Sequence, residues 1–227
     1  MNVAIIAAAG QGTRMGGKRA KQFLELAGTP IIIHTLRSFE LCEAIQEIIL
    51  VLPAQDTAGF LAIAEKQRLL KLSKIVPGGT TRAESVLRGL LAVHSATTEI
   101  VAVHDGVRPF VTAEEITQTV KAAEANDAAI LVAAVNDTMK EISNDVVVRT
   151  LRRADLRRAL TPQCFRYELL RRAYEQVDVL DPELTDESSL VERLGVKVAI
   201  VEGSARNIKI TDQEDLVLGE ALLREGR

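Results

Sequence analysis

The chain has 227 residues, 28 of them basic and 31 acidic, for a formal net charge of −3, and 47% are hydrophobic. That length suits one large α/β domain, and the near-balanced charge offers nucleic acid or an anionic membrane no general attraction, so any anion site must be local. Two distant cysteines, Cys42 and Cys164, with no Cys/His pattern around them argue against a disulfide framework and a structural zinc site.

Asn2–Ala8 is a short apolar run with no basic segment before it, which predicts a core strand rather than a signal peptide. No other segment reads as a membrane span, and a cytoplasmic location is the default expectation. The strand runs directly into Ala9-Gly10-Gln11-Gly12-Thr13-Arg14-Met15-Gly16-Gly17-Lys18-Arg19-Ala20-Lys21. Small residues there let backbone N–H groups approach an anion, and Arg14, Lys18, Arg19 and Lys21 bring positive charge to the same loop. A dinucleotide fingerprint would need Gly where Met15 stands, and a P-loop would need Ser or Thr where Arg19 stands. A glycine-rich turn with solvated cations is the third reading, and downstream segments must decide.

Thr29-Pro30 opens the first predicted helix, with Pro at its first position. Further strands are predicted at Glu47–Leu52, Lys74–Val76, Ile100–His104, Ala128–Ala134 and Val196–Glu202, mostly continuous runs of the kind covered on both faces. Capping boxes at Thr81/Glu84 and Thr211/Glu214 start two more helices, each contributing about 1 kcal/mol. This βαβα alternation predicts an α/β fold with a mainly parallel sheet, helices on both faces and right-handed crossovers. Ligands in such folds bind beyond the carboxyl ends of the strands.

That rule singles out the Gly10 loop, the turn Pro77–Ser85 at the start of a helix, His104–Pro109, and Ala205–Lys209. Asp105 ends a strand and either contacts metal or substrate or caps its own turn. His104 reads as structural, and Lys209, between Ile208 and Ile210, falls by alternation on a solvent face. Asn136–Lys140 reads as a turn into a hairpin with Val146–Leu151 as return strand. Arg149, Arg152, Arg153, Arg157 and Arg158 lack interleaved aromatics, so nucleic-acid binding is not expected, although one or two could hold a phosphate bidentately.

Taken together, these loops resemble the 2-C-methyl-D-erythritol 4-phosphate cytidylyltransferases. The matching segments are Ala8-Ala9-Gly10-x-Gly12-x-Arg14-Met15 with Lys21-Gln22-Phe23, Gly79-x-x-Arg82-x-x-Ser85-Val86, His104-Asp105-x-x-Arg108-Pro109, Asp137-Thr138-Met139-Lys140, Leu160-Thr161-Pro162-Gln163, Thr185-Asp186-Glu187 and Asn207-Ile208-Lys209. They run almost end to end. The first is shared by many nucleotidyltransferases, whereas the later ones in this order are narrower.

The resemblance implies a Rossmann-like fold and a single nucleotidyltransferase domain over residues 1–227. In it, the phosphate of methylerythritol phosphate attacks the α-phosphorus of CTP, a step of the non-mevalonate route to isoprenoids. It implies Arg14, Lys21 and Lys209 as catalytic cations, and Ala8, Ala9, Gly10, Gly12, Gly79, Arg82, Ser85, Asp105 and Gly106 along the nucleotide, mostly through backbone groups. Arg108, Thr138, Arg153, Thr161, Thr185 and Asp186, again with Asp105, would face the acceptor. Magnesium or another divalent cation would take part, held by Asp105 or by the CTP phosphates. A protruding β-arm at about 136–153 would be exchanged in a homodimer, placing Thr138 and Arg153 in the partner's site.

Ala20, Gly106 and Arg206 depart from the family's usual Pro, Ala and acidic residue; Gly106 would loosen the loop beside Asp105, and Arg206 would change the charge near Lys209. Alternatives are a ribitol-5-phosphate cytidylyltransferase with a different acceptor pocket, or a P-loop-like NTPase or nucleotide-sensing module. Cytosine selectivity rests wholly on the resemblance.

Overall fold

The computed structural model describes residues 1–10, 20–181 and 183–225. Strand β1 (Asn2–Ala7) lies at the centre of the main sheet, parallel to β4 (Glu47–Leu52) on one side and β6 (Ile100–Asp105) on the other. With β5 (Leu72–Pro77), β7 (Ala128–Ala134), β10 (Arg157–Arg166) and β11 (Ala199–Glu202), the seven strands run in the order β11-β7-β10-β6-β1-β4-β5. Only β10 is antiparallel to its neighbours.

Alternation along β1 divides the interior. Ala4 and Ile6 pack in one core with α1 (Ile31–Leu41), α2 (Thr57–Lys66) and α4 (Ala113–Asn126). Val3 and Ile5 pack in the other with α3 (Arg82–Leu91), α5 (Tyr167–Tyr174) and α6 (Glu187–Arg193). Both faces of the central strands are therefore dry, which is why their sequences are continuous apolar runs. Each fully buried Ile or Val contributes about 1.5–3 kcal/mol. A third, smaller cluster joins Leu26, Ile31, Val107 and Ile210 to α7 (Gln213–Glu225).

The chain order makes the site. From β1 it proceeds outward through β4 and β5, then returns across the sheet by α3 to β6 on the other side of β1. The strand order reverses there, so a crevice opens between the carboxyl ends of β1 and β6.

Several boundaries differ from expectation. Pro30 is the residue before α1 rather than its first residue, because Thr29–Pro30 forms β3, which pairs with β2 (Glu25–Leu26). Thr81 caps α3 by accepting from Glu84 N–H, but the Glu84 carboxylate returns to Thr80, one residue short of a closed box. At α7 the reciprocal bonds run between Asp212 and Asp215, not Thr211 and Glu214. A complete capping box occurs instead at Thr112/Glu115. Strand β10 is absent from the sequence reading: Arg157, Arg158 and Pro162 interrupt its apolar pattern, and a register shift between Ala159 and Gln163 accommodates the proline.

The hairpin β8 (Lys140–Ser143) and β9 (Val146–Thr150) turns through Asn144 and Asp145, both at positive φ, and forms its own two-stranded sheet. No helix among the described residues is long and apolar enough to cross a membrane.

Candidate active site

The carboxyl ends of β5, β4, β1 and β6 are sewn together by backbone bonds. Ala8 N–H donates to Val51 O at 2.9 Å, Gly106 N–H to Ala7 O at 2.9 Å, and Gly78 N–H to Leu52 O at 2.8 Å. Gly106 is held further by Thr35, whose hydroxyl donates to its carbonyl at 3.1 Å. A Cβ on Gly106 would come within 2.7 Å of Ala8 Cβ and 2.8 Å of Ile32 Cδ1, so this glycine packs tightly and does not loosen the loop. Gly79 N–H is taken by Ser85 Oγ at 3.1 Å, and Ser85 donates on to Thr81 O at 2.8 Å. Of the backbone donors expected along a nucleotide, those of Ala8, Gly79 and Gly106 are thus already engaged. Those of Ala9 and Gly10 form no hydrogen bond among the described residues. Gly12 and Arg14 lie outside the described residues.

At the floor of the crevice, Asp105 gathers three cations. Its Oδ1 accepts from Arg82 Nε at 3.0 Å, and its Oδ2 faces Arg108 Nε at 3.1 Å and Lys209 Nζ at 3.0 Å. Burial alone would raise the Asp105 pKa, but Arg82, Lys209 and Arg108 hold the carboxyl far below the usual carboxylate range. Arg82 is itself clamped by Glu187, whose two oxygens both lie 2.8 Å from Nη1, and Tyr174 donates to Glu187 Oε1 at 3.1 Å. Three cations share two carboxylates in this cluster, so it carries excess positive charge toward the crevice. Arg206, by contrast, is turned toward α7, where it meets Leu222 O and Glu225.

Thr161 ties three loops together. Its hydroxyl accepts from Asp105 N–H at 3.1 Å and lies 2.9 Å from His104 Nδ1, while its carbonyl accepts from Asn207 Nδ2 at 2.9 Å. His104 Nε2 sits 3.2 Å from Arg108 O, which can only accept. That nitrogen therefore carries the proton, and Nδ1 accepts from Thr161. Burial lowers the His104 pKa to about 3, keeping the ring neutral. Thr161 can then offer a ligand a lone pair but no hydroxyl hydrogen.

Two clefts meet at this cluster. The larger, about 360 Å³, runs from Ala8, Ala9 and Gly10 past Lys21 to Gly79 and Ser85. The smaller, about 230 Å³, is bordered by Arg108, Thr161, Thr185 and Asp186. Arg82, Asp105 and Lys209 line both. Lys209 is not on a strand's solvent face, as alternation would have it, but in a loop pinned by Arg108 Nη1 to Asn207 O and by Ile210 N–H to Val107 O. Thr138 and Arg153 are exposed at the base of the arm and line neither cleft, although Arg153 Nη1 donates to Asn136 O at 3.0 Å.

Glu187 and Gln163 have no role predictable from the sequence, yet both hold the site in place. Gln163 Oε1 accepts from Glu187 N–H and Ser188 N–H, and its Nε2 donates to Asp186, which also caps α6 through Ser189 N–H. Their sequence signal is their place in Leu160-Thr161-Pro162-Gln163 and Thr185-Asp186-Glu187.

A family model described as 2-C-methyl-D-erythritol 4-phosphate cytidylyltransferase matches residues 2–225. The protein of that name from Pelotomaculum thermopropionicum is 43% identical, over 99% of this chain and 95% of its own. The one from Bacillus cytotoxicus is 42% identical over the whole of both. Among solved structures, 4-diphosphocytidyl-2C-methyl-D-erythritol synthase from Anaerococcus prevotii superposes with a TM-score of 0.85 at 35% identity, covering 98% of each chain. The Thermus thermophilus cytidylyltransferase gives a TM-score of 0.78 at 34% identity, covering 97% of this chain and 98% of that one. By sequence over nearly its whole length and by fold, the chain belongs to the 2-C-methyl-D-erythritol 4-phosphate cytidylyltransferase family.

Proposed function

We propose that the chain transfers a cytidylyl group from CTP to 2-C-methyl-D-erythritol 4-phosphate, giving 4-diphosphocytidyl-2-C-methyl-D-erythritol and pyrophosphate in the non-mevalonate route to isoprenoids. The observation that carries this reading is the pair of clefts sharing Arg82, Asp105 and Lys209. A nucleotide in the larger and a polyol phosphate in the smaller would bring their phosphates together on a cation-rich wall. The fold then acts chiefly by alignment and charge.

In the proposed step, an oxygen of the acceptor phosphate bonds to the α-phosphorus of CTP as the bond to the pyrophosphate oxygen breaks. No proton needs to move, since a phosphate monoester with a second pKa of about 6 is mostly dianionic at neutral pH. The neutral His104, bonded at both ring nitrogens, is accordingly not required as a base. Lys21 and Lys209 would neutralise charge growing on the transferring and departing phosphates, with Arg14 added by the family resemblance. Arg82 would brace the shared wall, and Ala8, Ala9, Gly10, Gly12, Gly79, Ser85 and Gly106 would shape the nucleotide side. Arg108, Thr185 and Asp186 would border the acceptor, with Thr161 accepting from a polyol hydroxyl.

The expected divalent cation does not fit Asp105 as a resident ligand. Both carboxylate oxygens are taken by cations, and no group of three His, Cys, Asp or Glu residues among the described residues could hold a metal. The ion would arrive on the phosphate oxygens of CTP and offset their charge there. Residues 1–227 would act as one nucleotidyltransferase unit in the cytoplasm, the compartment that supplies the nucleotide.

A homodimer completes the proposal. Ile142, Val146, Val147 and Val148 on the arm are each more than half exposed, with Val147 on one face of the hairpin and Val146 and Val148 on the other, apolar surface that a second copy would cover. Thr138 and Arg153 would then reach the partner's smaller cleft. Pyrophosphate release from CTP with methylerythritol phosphate, compared with ribitol phosphate as acceptor and with UTP and ATP as donors, tests the reaction. Release only with ribitol phosphate, or orthophosphate formed without any acceptor, would defeat it.

A further inference from the structure

The short 3-10 turn Lys21–Phe23 puts neighbouring side chains to different uses. Its backbone is fixed: Phe23 N–H donates to Ala20 O, Leu24 N–H to Lys21 O, and Ile31 N–H at the start of α1 to Leu24 O. Phe23 packs beside Phe60, with ring centroids 6.2 Å apart. Between Lys21 and Phe23 in the turn lies Gln22, only 1% exposed, yet bordering the larger cleft together with Lys21, Ala8 and Lys209. Among the described residues its Nε2 is buried without a hydrogen-bond partner.

A buried amide donor left unpaired is destabilising, and native proteins keep few of them. Here the orphan sits on a rigid turn at the edge of a ligand cleft. We propose that Gln22 is a further nucleotide-binding residue, donating an Nε2 hydrogen to a phosphate oxygen of the bound nucleoside triphosphate. The proposal rests on reading this cleft as the CTP site. Lys21 and Lys209 mark the phosphate end of the cleft, and an anionic oxygen is the strongest acceptor available to a neutral donor. A carboxamide also adds a hydrogen bond there without adding to the excess positive charge of the Asp105 cluster.

The test is Gln22→Met, which keeps length and volume and removes the donor, with Gln22→Glu as a second variant. Melting without ligand, CTP and cytidine affinity by calorimetry, and the KM for each substrate are measured on the full chain. Without ligand, Gln22→Met should melt at the wild-type temperature or above, because an unsatisfied donor has been removed. Its Kd for CTP should rise about ten- to a hundredfold, the loss expected for one hydrogen bond to a charged group. Cytidine affinity and the KM for the acceptor should stay at wild-type values, and Gln22→Glu should weaken CTP further through charge repulsion. A lower melting temperature with unchanged CTP affinity would make Gln22 purely structural and overturn the proposal. Equal losses for CTP and cytidine would move the contact to the nucleoside and overturn it too. Wild-type protein that binds no CTP would instead defeat the reading of the cleft itself.

Discussion

Lys209 Nζ lies 3.0 Å from Asp105 Oδ2, on the same oxygen that receives Arg108. The pairing holds the lysine at the wall common to both clefts while leaving its side chain 36% exposed. Lys209→Ala should therefore cut turnover about a hundred- to a thousandfold, the usual cost of one preorganised charge-stabilising group. Melting should barely change, since Arg82 and Arg108 still compensate Asp105. Steady-state kinetics beside thermal melts would check it, and undiminished turnover would remove Lys209 from the reacting phosphates.

Glu187 has the opposite balance of roles. Its carboxylate is 1% exposed and satisfies both Arg82 Nη1 and Tyr174. Glu187→Gln should cost about 2–4 kcal/mol, somewhat less than breaking a fully buried pair, because Arg82 retains Asp105. It should also raise the KM for CTP as Arg82 loses its anchor. Arg152→Ala, which breaks the exposed Arg152–Asp155 pair, serves as control and should leave urea denaturation unchanged. Equal effects of the two substitutions would show that the Arg82–Glu187 clamp contributes nothing particular.

His104 makes stability depend on pH. Its folded pKa, lowered by burial to about 3, lies below the ordinary 6.5. Between those values the unfolded chain binds a proton that the folded protein refuses, so stability is full above about pH 6.5 and falls as pH drops. At pH 5 the loss is about 2 kcal/mol. His104→Gln should be less stable than wild type at pH 8, since its contacts to Thr161 and Arg108 O are lost, yet should show a flatter decline from pH 6.5 to 4.5. Urea denaturation across that range decides it; parallel declines would mean that His104 is not the responsible group.

Legibility followed burial. Strands β4 and β7 have the bounds predicted from their apolar runs, because both faces are covered and nearly every position reports on the core. Strand β10 was hidden because it carries arginines at its exposed end and a proline at its register shift, features that a local reading assigns to loops. The site loops could be read from the rule that ligands gather at strand ends, and Asp105, Arg82 and Lys209 do converge there. The ties that position them could not. Glu187 looks like an ordinary acid in the first turn of a helix, and nothing near Gln163 in sequence shows that it binds two N–H groups from α6. Which backbone donors remain available beside Ala8 and Gly79 likewise depends on partners distant in sequence, Val51 for one and the Ser85 hydroxyl for the other.

The arm carries the proposal of a shared site. Val146, Val147 and Val148 are exposed in the single chain, and Arg153 stands at the arm's base outside both of its own clefts. Val147→Asp should therefore yield monomers by sedimentation and lose most activity, while melting of the main sheet is preserved because β8 and β9 pair only with each other. If Arg153 acts in the partner's cleft, a Lys209→Ala chain and an Arg153→Ala chain, each nearly inactive alone, should regain activity when mixed and allowed to exchange subunits. In the heterodimer one site then lacks both side chains, while the other takes its own Lys209 and the neighbour's Arg153 and is whole. Exchange verified by mass spectrometry without any return of pyrophosphate release would place Arg153 outside the partner's chemistry.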